Sequence, residues 1–184
     1  MSDAHLPRGI ATGHPESVVV HFDGACEPAR GGGVATFGYV VEGVGLHHEE
    51  SGLAVRPYSP HATNNVAEYV AAIRALEWLL RHGFAGEVVL SGDSQLLVRQ
   101  MHGEYAVRAD HLKAYHEHLR QLAARFRRAE FRWVPREENA RADALTKQAL
   151  AEAARDARRH RPETPVAVAD ENDDSARGAD PSGD

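Results

Sequence analysis

The stretch TNNVAEYVAAIRALEWLLRHGFAGEVVLSGD, residues 63–93, decides the fold class, because it predicts a helix followed directly by a buried strand. Apolar residues recur at helical spacing from Val66 to Leu80, after the favourable N-cap Thr63, and the pattern ends at His82-Gly83. The short apolar segment 87–90 then predicts a strand inside a sheet. A helix that leads into such a strand is typical of an α/β fold.

The flanking segments complete the prediction of one mixed sheet. Upstream, β-branched and aromatic residues with short gaps predict three strands joined as an antiparallel meander, at residues 17–22, 34–41 and 44–53. Downstream, the patterns predict two helices, a fifth strand and a final helix, at residues 94–101, 110–126, 129–134 and 139–160. We therefore expect an α/β fold with a five-stranded mixed sheet flanked by helices.

The charge is distributed unevenly, although the net charge is only −6 over 184 residues. Residues 163–184 contain seven acids and one arginine, whereas residues 120–161 carry an excess of six positive charges. We expect a flexible leader at 1–15, one domain at 16–161 and an acidic, disordered tail at 162–184. The basic segment suits a polyanionic ligand, although a solvated Arg-rich helix face gives the same pattern.

Composition also bounds the compartment and the assembly. Cys26 is the only cysteine, and no apolar run is long enough to span a membrane, so neither disulfides nor membrane insertion is expected. The first sixteen residues lack the apolar stretch of a secretory signal. We therefore expect a cytoplasmic protein, and we expect it to be a monomer.

Four acids occupy positions where a carboxylate needs an explanation. Asp23 and Asp93 each follow a predicted strand, Glu68 lies in the first turn of its helix, and Asp143 lies early in the final helix. Each acid alone could be a turn residue or balance a helix dipole. Together they can meet at one edge of the sheet, where they repel one another unless divalent cations neutralise them. All-oxygen ligands favour Mg²⁺ or Mn²⁺, and two such ions can promote phosphodiester cleavage.

The sequence around these acids resembles type 1 ribonuclease H. The resemblance spans residues 17–155 and rests on four motifs, which are DGAC at 23–26, TNNVAE at 63–68, GDSQ at 92–95 and NARADAL at 139–145. It implies the ribonuclease H-like fold, and it implies that the four acids form the catalytic site and bind two metal ions. It also implies cleavage of the RNA strand of RNA–DNA hybrids, leaving 5′-phosphate and 3′-hydroxyl ends. Double-stranded RNA is a second candidate ligand.

The same resemblance implies which residues contact the substrate. Asn64 and Gln95 match the family's minor-groove contacts, Asn65 and Cys26 are weaker candidates, and Thr63 matches a contact to a DNA phosphate. Amide groups can bond 2′-hydroxyls and base edges without requiring a base sequence. Helix capping is an alternative role for Asn64 and Asn65, and a small buried side chain is an alternative for Cys26.

Two departures from the family pattern concern catalysis and binding. Many members carry a histidine in the loop before the final helix, but residues 134–141 contain none, and Arg136 is the best substitute. A loop with an arginine and no histidine resembles the archaeal-like branch of the family. Arginine cannot act as a general base, so we expect Arg136 to contact the scissile phosphate instead. A surface charge in the loop is the alternative. Many bacterial members of the family also carry a lysine-rich insertion between the two middle helices. Here residues 101–111 contain a single Arg or Lys, Arg108, so we expect Arg120–Arg132 to bind the hybrid instead.

Two other classes of function stay open. Another nuclease of the same superfamily, such as a junction resolvase, transposase or proofreading exonuclease, lacks this combination of the motifs at 63–68 and 92–95. A non-catalytic module that binds hybrids or double-stranded RNA has no use for four clustered acids, which repel a phosphate backbone. Incubation with each type of duplex and with Mg²⁺, Mn²⁺ or EDTA distinguishes these classes.

Overall fold

The computed structural model describes residues 17–29 and 32–159, and the leader and tail expected at 1–15 and 162–184 lie outside them. Within these residues the strands and helices follow the predicted order. The strands are β1 (Ser17–Glu27), β2 (Val34–Gly43), β3 (Leu46–Leu53), β4 (Glu87–Gly92) and β5 (Arg128–Trp133). The helices are α1 (Asn64–Arg81), α2 (Gln95–Met101), α3 (Asp110–Ala123) and α4 (Ala140–Arg159), with a 3₁₀ turn at Arg136–Asn139.

The strands form one mixed sheet in the order β3-β2-β1-β4-β5. β1, β2 and β3 pair antiparallel, while β4 pairs parallel with both β1 and β5. This arrangement confirms the predicted five-stranded sheet with an antiparallel meander. It also confirms that the apolar segment 87–90 forms an interior strand, since β4 has a neighbour on each side.

The two faces of the sheet pack against different helices, because side chains alternate along each strand. On one face, Val18 and Phe22 of β1 join Leu76 of α1 in the main core, and α3 packs against α1. On the other face, α4 crosses β1, β2 and β3. Gly38 of β2 is needed there, because a Cβ at this position would lie 2.7 Å from Thr146 Oγ1 of α4.

β1 is longer than predicted, which corrects the position of Asp23. The sequence predicts that the first strand ends before Asp23, but β1 continues because β2 pairs with it as far as Glu27. β4, in contrast, pairs with β1 only as far as His21. Asp23 therefore lies just past the parallel pairing, near the end of β4, even though its own strand continues.

The predicted start of α1 is confirmed, and it corrects the position of Glu68. Thr63 is the N-cap, and its Oγ1 accepts a hydrogen bond from the main-chain N–H of Val66 at 3.2 Å. The helix begins at Asn64, so Glu68 is its fifth residue and lies beyond the first turn, which contains no acid. At 3.6 residues per turn this places Glu68 on the same face as Asn64 and not at the helix end.

The remaining boundaries differ from the prediction by a few residues. α3 ends at Ala123 rather than at residue 126, and β5 begins at Arg128, one residue early. The final helix begins at Ala140 because the residues after Pro135 first form the 3₁₀ turn. Among the residues that the structure describes, no helix is both long and apolar enough to cross a membrane.

Candidate active site

Three carboxylates meet where β1, β4 and α1 come together. Asp23 of β1, Glu68 of α1 and Asp93, which follows β4, each offer an oxygen that lies within 4.8 Å of the other two. Asp23 and Glu68 are buried, and Asp93 is half-buried. The structure thus brings together three of the four acids that the sequence singled out.

Two glycines permit this close approach. A Cβ on Gly24 would lie 2.2 Å from the main-chain nitrogen of Glu68, so α1 packs directly on the backbone of β1. A Cβ on Gly92 would lie 2.5 Å from the ring of Phe22, the residue before Asp23. A larger residue at either position would force α1 or β4 away from β1 and separate the carboxylates.

Burial and repulsion make the three acids unfavourable as bare anions. Burial raises the pKa of Asp23 from 3.8 to about 6, and the charges of Asp93 and Asp143 add to the rise. Burial also raises the pKa of Glu68 well above its ordinary value, and the charges of Asp23 and Asp93 raise it further. Glu68 Oε2 is buried and has no hydrogen-bond partner within the described part of the chain. The donors are all oxygens, so a hard divalent cation fits this site and supplies the missing positive charge.

Asp143 lies beside these three acids but is paired with two cations. Its Oδ1 accepts a hydrogen bond from Arg136, and its Oδ2 lies 2.6 Å from Lys147 Nζ. Burial opposes the ionisation of Asp143, but the hydrogen bonds from Lys147 and Arg136 outweigh it and lower the pKa. Asp143 still raises the pKa of Asp23, so the two acids are neighbours. The structure therefore leaves the fourth predicted acid outside the group of three.

Arg136 lies at the solvent side of the acids, in the 3₁₀ turn before α4. Its side chain is 65% exposed and forms an ion pair with Asp143. Its positive charge also favours the ionised forms of Asp23 and Glu68. A guanidinium in this position can bond an anionic group that approaches the carboxylates from solvent.

Three residues to which the sequence analysis gave no role support the acids. Asn139 is 1% exposed, and its Nδ2 donates to a main-chain oxygen of β1 at 2.8 Å and lies 3.5 Å from Asp93 Oδ1. Trp133 Nε1 donates to the main-chain oxygen of Asp93 at 3.2 Å. Thr146 Oγ1 lies 3.2 Å from the main-chain oxygen of Asp23, and its hydrogen bonding lowers the pKa of the Asp23 carboxyl. Only Asn139 carried a sequence signal, as the first residue of the motif at 139–145.

Most of the residues predicted to contact substrate face solvent near the acids. Asn64, Asn65 and Gln95 are exposed, and Thr63 is half-buried. Asn64 also has a structural role, because its Oδ1 accepts a hydrogen bond from the main-chain N–H of Cys26 at 2.6 Å. The capping alternative holds for Thr63 rather than for Asn64 or Asn65, since Thr63 is the N-cap of α1.

Cys26 differs from the other candidates because its side chain is buried. The residue is 4% exposed and packs against Ala35, Ala62 and Ala67. Its Sγ lies 3.1 Å from the main-chain oxygen of Ala62, which ties β1 to the segment before α1. The structure therefore gives this side chain the buried packing role rather than a surface from which it could touch a substrate.

The comparisons with known proteins agree with this geometry. Residues 22–149 match the family described as "Reverse transcriptase-like". The chain is 39% identical to the ribonuclease HI of Halobacterium salinarum over 138 residues, which are 74% of this chain and 65% of that protein. The crystal structure of LC11-RNase H1 in complex with an RNA/DNA hybrid is 35% identical, with a TM-score of 0.65, covering 74% of this chain and 99% of that one. The chain belongs to the type 1 ribonuclease H family.

Family membership confirms the resemblance inferred from the motifs, while the archaeal-like branch stays a prediction. The chain is also 41% identical to the bifunctional protein Rv2228c of Mycobacterium tuberculosis over 96 residues, which are 52% of this chain and 26% of that protein. It thus spans about a quarter of the length of that relative. In this chain, Arg136 occupies the loop between β5 and α4 in which many members of the family carry a histidine.

Proposed function

We propose that this ribonuclease H is a metal-dependent endonuclease that hydrolyses the RNA strand of RNA–DNA hybrids. The observation that carries the proposal is the group of carboxylates from Asp23, Glu68 and Asp93, whose oxygens lie within 4.8 Å of one another. The relative LC11-RNase H1, which has been crystallised with an RNA/DNA hybrid, supports the choice of substrate.

Two Mg²⁺ or Mn²⁺ ions are the proposed cofactors, and their ligands are Asp23, Glu68, Asp93 and Asp143. The unpaired Oε2 of Glu68 and the raised pKa of Asp23 support this assignment, because both are relieved by a nearby cation. Bound ions of this kind supply an activated water and stabilise the leaving oxygen, which gives 5′-phosphate and 3′-hydroxyl ends. Asp143 can bind these ions only if it releases Arg136 or Lys147, its present partners.

The role proposed for Arg136 is to bond an oxygen of the scissile phosphate. Its exposed guanidinium and its charge beside the acids support this role. Arginine stays protonated, so it stabilises negative charge that develops at the phosphate and takes no proton from water. If Asp143 bound a metal ion, its ion pair with Arg136 would be broken, and the Arg136 guanidinium would then be free to bond the phosphate.

The exposed amides beside the acids are proposed to hold the hybrid in the minor groove. Asn64 and Gln95 can each bond 2′-hydroxyls or base edges of either strand, and Asn65 can assist. Thr63 is proposed to contact a DNA phosphate while it caps α1. These contacts require no particular base, so we expect cleavage with little sequence preference.

The test is one assay with three duplexes. End-labelled RNA–DNA hybrid, double-stranded RNA and duplex DNA are each incubated with the full chain and with Mg²⁺, Mn²⁺ or EDTA. The proposal predicts cleavage of the RNA strand of the hybrid, only with a divalent ion, and 5′-phosphates that permit ligation of the products. Cleavage of duplex DNA would indicate another nuclease of the superfamily, and binding without cleavage would indicate a non-catalytic module.

A further inference from the structure

The exposed face of α2 carries an arginine, Arg99, one helical turn from the predicted substrate contact Gln95. Gln95 is the first residue of α2 and Arg99 is four residues later, and both are exposed. Residues four apart lie on the same face of a helix, separated by about 6 Å along its axis at about 1.5 Å per residue. Arg99 therefore continues the surface that begins at the acids and passes through Gln95.

The Arg99 side chain is held in place by an aromatic ring. Its Nη1 donates to the Tyr105 hydroxyl at 3.0 Å, and its Cζ lies 5.2 Å from the centre of the Tyr105 ring. The main-chain N–H groups of Glu104 and Tyr105 both donate to the main-chain oxygen of Arg99, at 2.9 and 3.2 Å. The segment after α2 thus folds back on the helix end and orients the guanidinium by a cation–π contact.

Within the part of the chain that the structure describes, Arg99 has no acidic partner, unlike most of the arginines in Arg120–Arg132, the segment predicted to bind the hybrid. Arg120 pairs with Glu117, and Arg128 and Arg132 share Glu130. Among residues 17–29 and 32–159, no carboxylate pairs with Arg99, and its polar side-chain partner is the Tyr105 hydroxyl. An exposed guanidinium without a counter-charge has its charge and most of its donors available to an anion.

We propose that Arg99, oriented by Tyr105, binds a backbone phosphodiester of the hybrid near the position contacted by Gln95. The inference rests on the proposed function, because it takes the hybrid as the ligand. Arg99 lies about 6 Å from Gln95 along α2, so its phosphate belongs to a nucleotide close to the one that Gln95 contacts. Phosphate is the chemistry that suits this pair, since a guanidinium bonds it in a fork and carries no base specificity.

The test compares two arginine deletions that change the net charge equally. Arg81 is the control, because it is exposed, has no acidic partner in the described residues, and ends α1, about 20 Å along that helix from Glu68. Arg99→Ala should raise KM for the hybrid about tenfold, as expected for loss of one charged hydrogen bond, with kcat unchanged within about twofold. Its salt dependence of kcat/KM should weaken by about one unit of slope. Arg81→Ala should change neither quantity.

Variants at Tyr105 and chemically neutral phosphates locate the contact. Tyr105→Phe keeps the ring and should retain most of the affinity, whereas Tyr105→Ala should approach Arg99→Ala. A methylphosphonate replaces one charged phosphate of a strand by a neutral group. When it is placed at each position of the RNA or DNA strand in turn, it should weaken binding to the unmodified chain at one position. At that position it should have no effect on binding to Arg99→Ala. The strand that responds identifies which backbone the site holds.

The two proposals fail in different ways. Absence of hybrid cleavage by the unmodified chain would refute the proposed function itself. Normal cleavage with equal KM and equal salt slopes for Arg99→Ala and Arg81→Ala would leave that function intact and overturn the phosphate site. A fall in kcat with unchanged KM would also overturn it, because a binding contact remote from the acids acts on KM.

Discussion

Replacing Asp23 by asparagine should stabilise the metal-free protein at neutral and alkaline pH. The carboxyl of Asp23 is 6% exposed, and burial raises its pKa from 3.8 to about 6. In the folded chain the ionised form is therefore disfavoured relative to the unfolded chain. At about 1.4 kcal/mol per tenfold change, this rise corresponds to about 3 kcal/mol of unfolding free energy above pH 6. Asparagine keeps the shape of the side chain and carries no charge.

The sign of the pH dependence follows from the same numbers. Between about pH 4 and pH 6 the folded state binds the proton more tightly than the unfolded state, so the contribution of Asp23 to stability falls as pH rises. The gain from Asp23→Asn should be about 3 kcal/mol at pH 8 and about half of that at pH 5. Thr146 donates to the main-chain oxygen of residue 23, which the substitution leaves in place, so the packing against α4 is retained.

Urea unfolding in EDTA at pH 5 and pH 8, followed by circular dichroism, measures this difference. The control is Asp110→Asn, an exposed position where Lys113 lowers the pKa of the carboxyl, so removal of that charge should give no stabilisation. Addition of Mg²⁺ should raise the stability of the unmodified protein more than that of Asp23→Asn, by preferential binding to the folded state. Equal or lower stability of Asp23→Asn at pH 8 would refute the view that burial, together with the neighbouring acids, disfavours the ionised Asp23 carboxyl in the absence of a cation.

Three further outcomes test the neighbours of the acids and the domain boundary. Arg136→Ala should lower kcat by about 10²-fold with a smaller effect on KM, and Arg136→Lys should restore part of it, since the contact is made to a developing charge. An increase in KM alone would show that Arg136 binds the substrate and the transition state equally. Thr146→Val should lower the unfolding free energy at pH 8 by about 1 kcal/mol, because it fills the same buried space but removes the hydroxyl that donates to the main chain of Asp23. A chain that ends at Arg161 should retain its cleavage of hybrids, and loss of activity would show that residues 162–184 take part in catalysis.

The order of the strands and helices could be predicted because each has a strong local pattern. α1 is the clearest case, since Thr63 caps it, apolar residues follow at helical spacing, and His82 ends it. β1 was predicted too short because strand length depends on the partner, and β2 continues to pair beyond Asp23 where β4 does not. The 3₁₀ turn at Arg136–Asn139 has no hydrophobic period, so the sequence predicts a loop there and begins the final helix at Asn139, one residue early.

The acids of the site could also be predicted, but their partners could not. Asp23, Glu68 and Asp93 stand at a sheet edge and on a helix beside it, and topology alone brings such positions together. The pairing of Asp143 with Arg136 and Lys147 depends on the side-chain conformations of these three residues, which a sequence pattern does not specify. The support from Thr146 comes from a residue 123 positions away from Asp23, and it depends on how α4 packs over Gly38.

The most direct test of the central claim is the rate of RNA-strand cleavage in an end-labelled RNA–DNA hybrid by the unmodified chain and by Asp93→Asn. We expect the unmodified chain to cleave the RNA strand with Mg²⁺ or Mn²⁺ and to show no cleavage in EDTA. We expect Asp93→Asn to be inactive under all three conditions while its unfolding transition is unchanged or higher, because one repelling charge is removed. Near-normal turnover by a folded Asp93→Asn protein would contradict the assignment of these carboxylates as the catalytic centre.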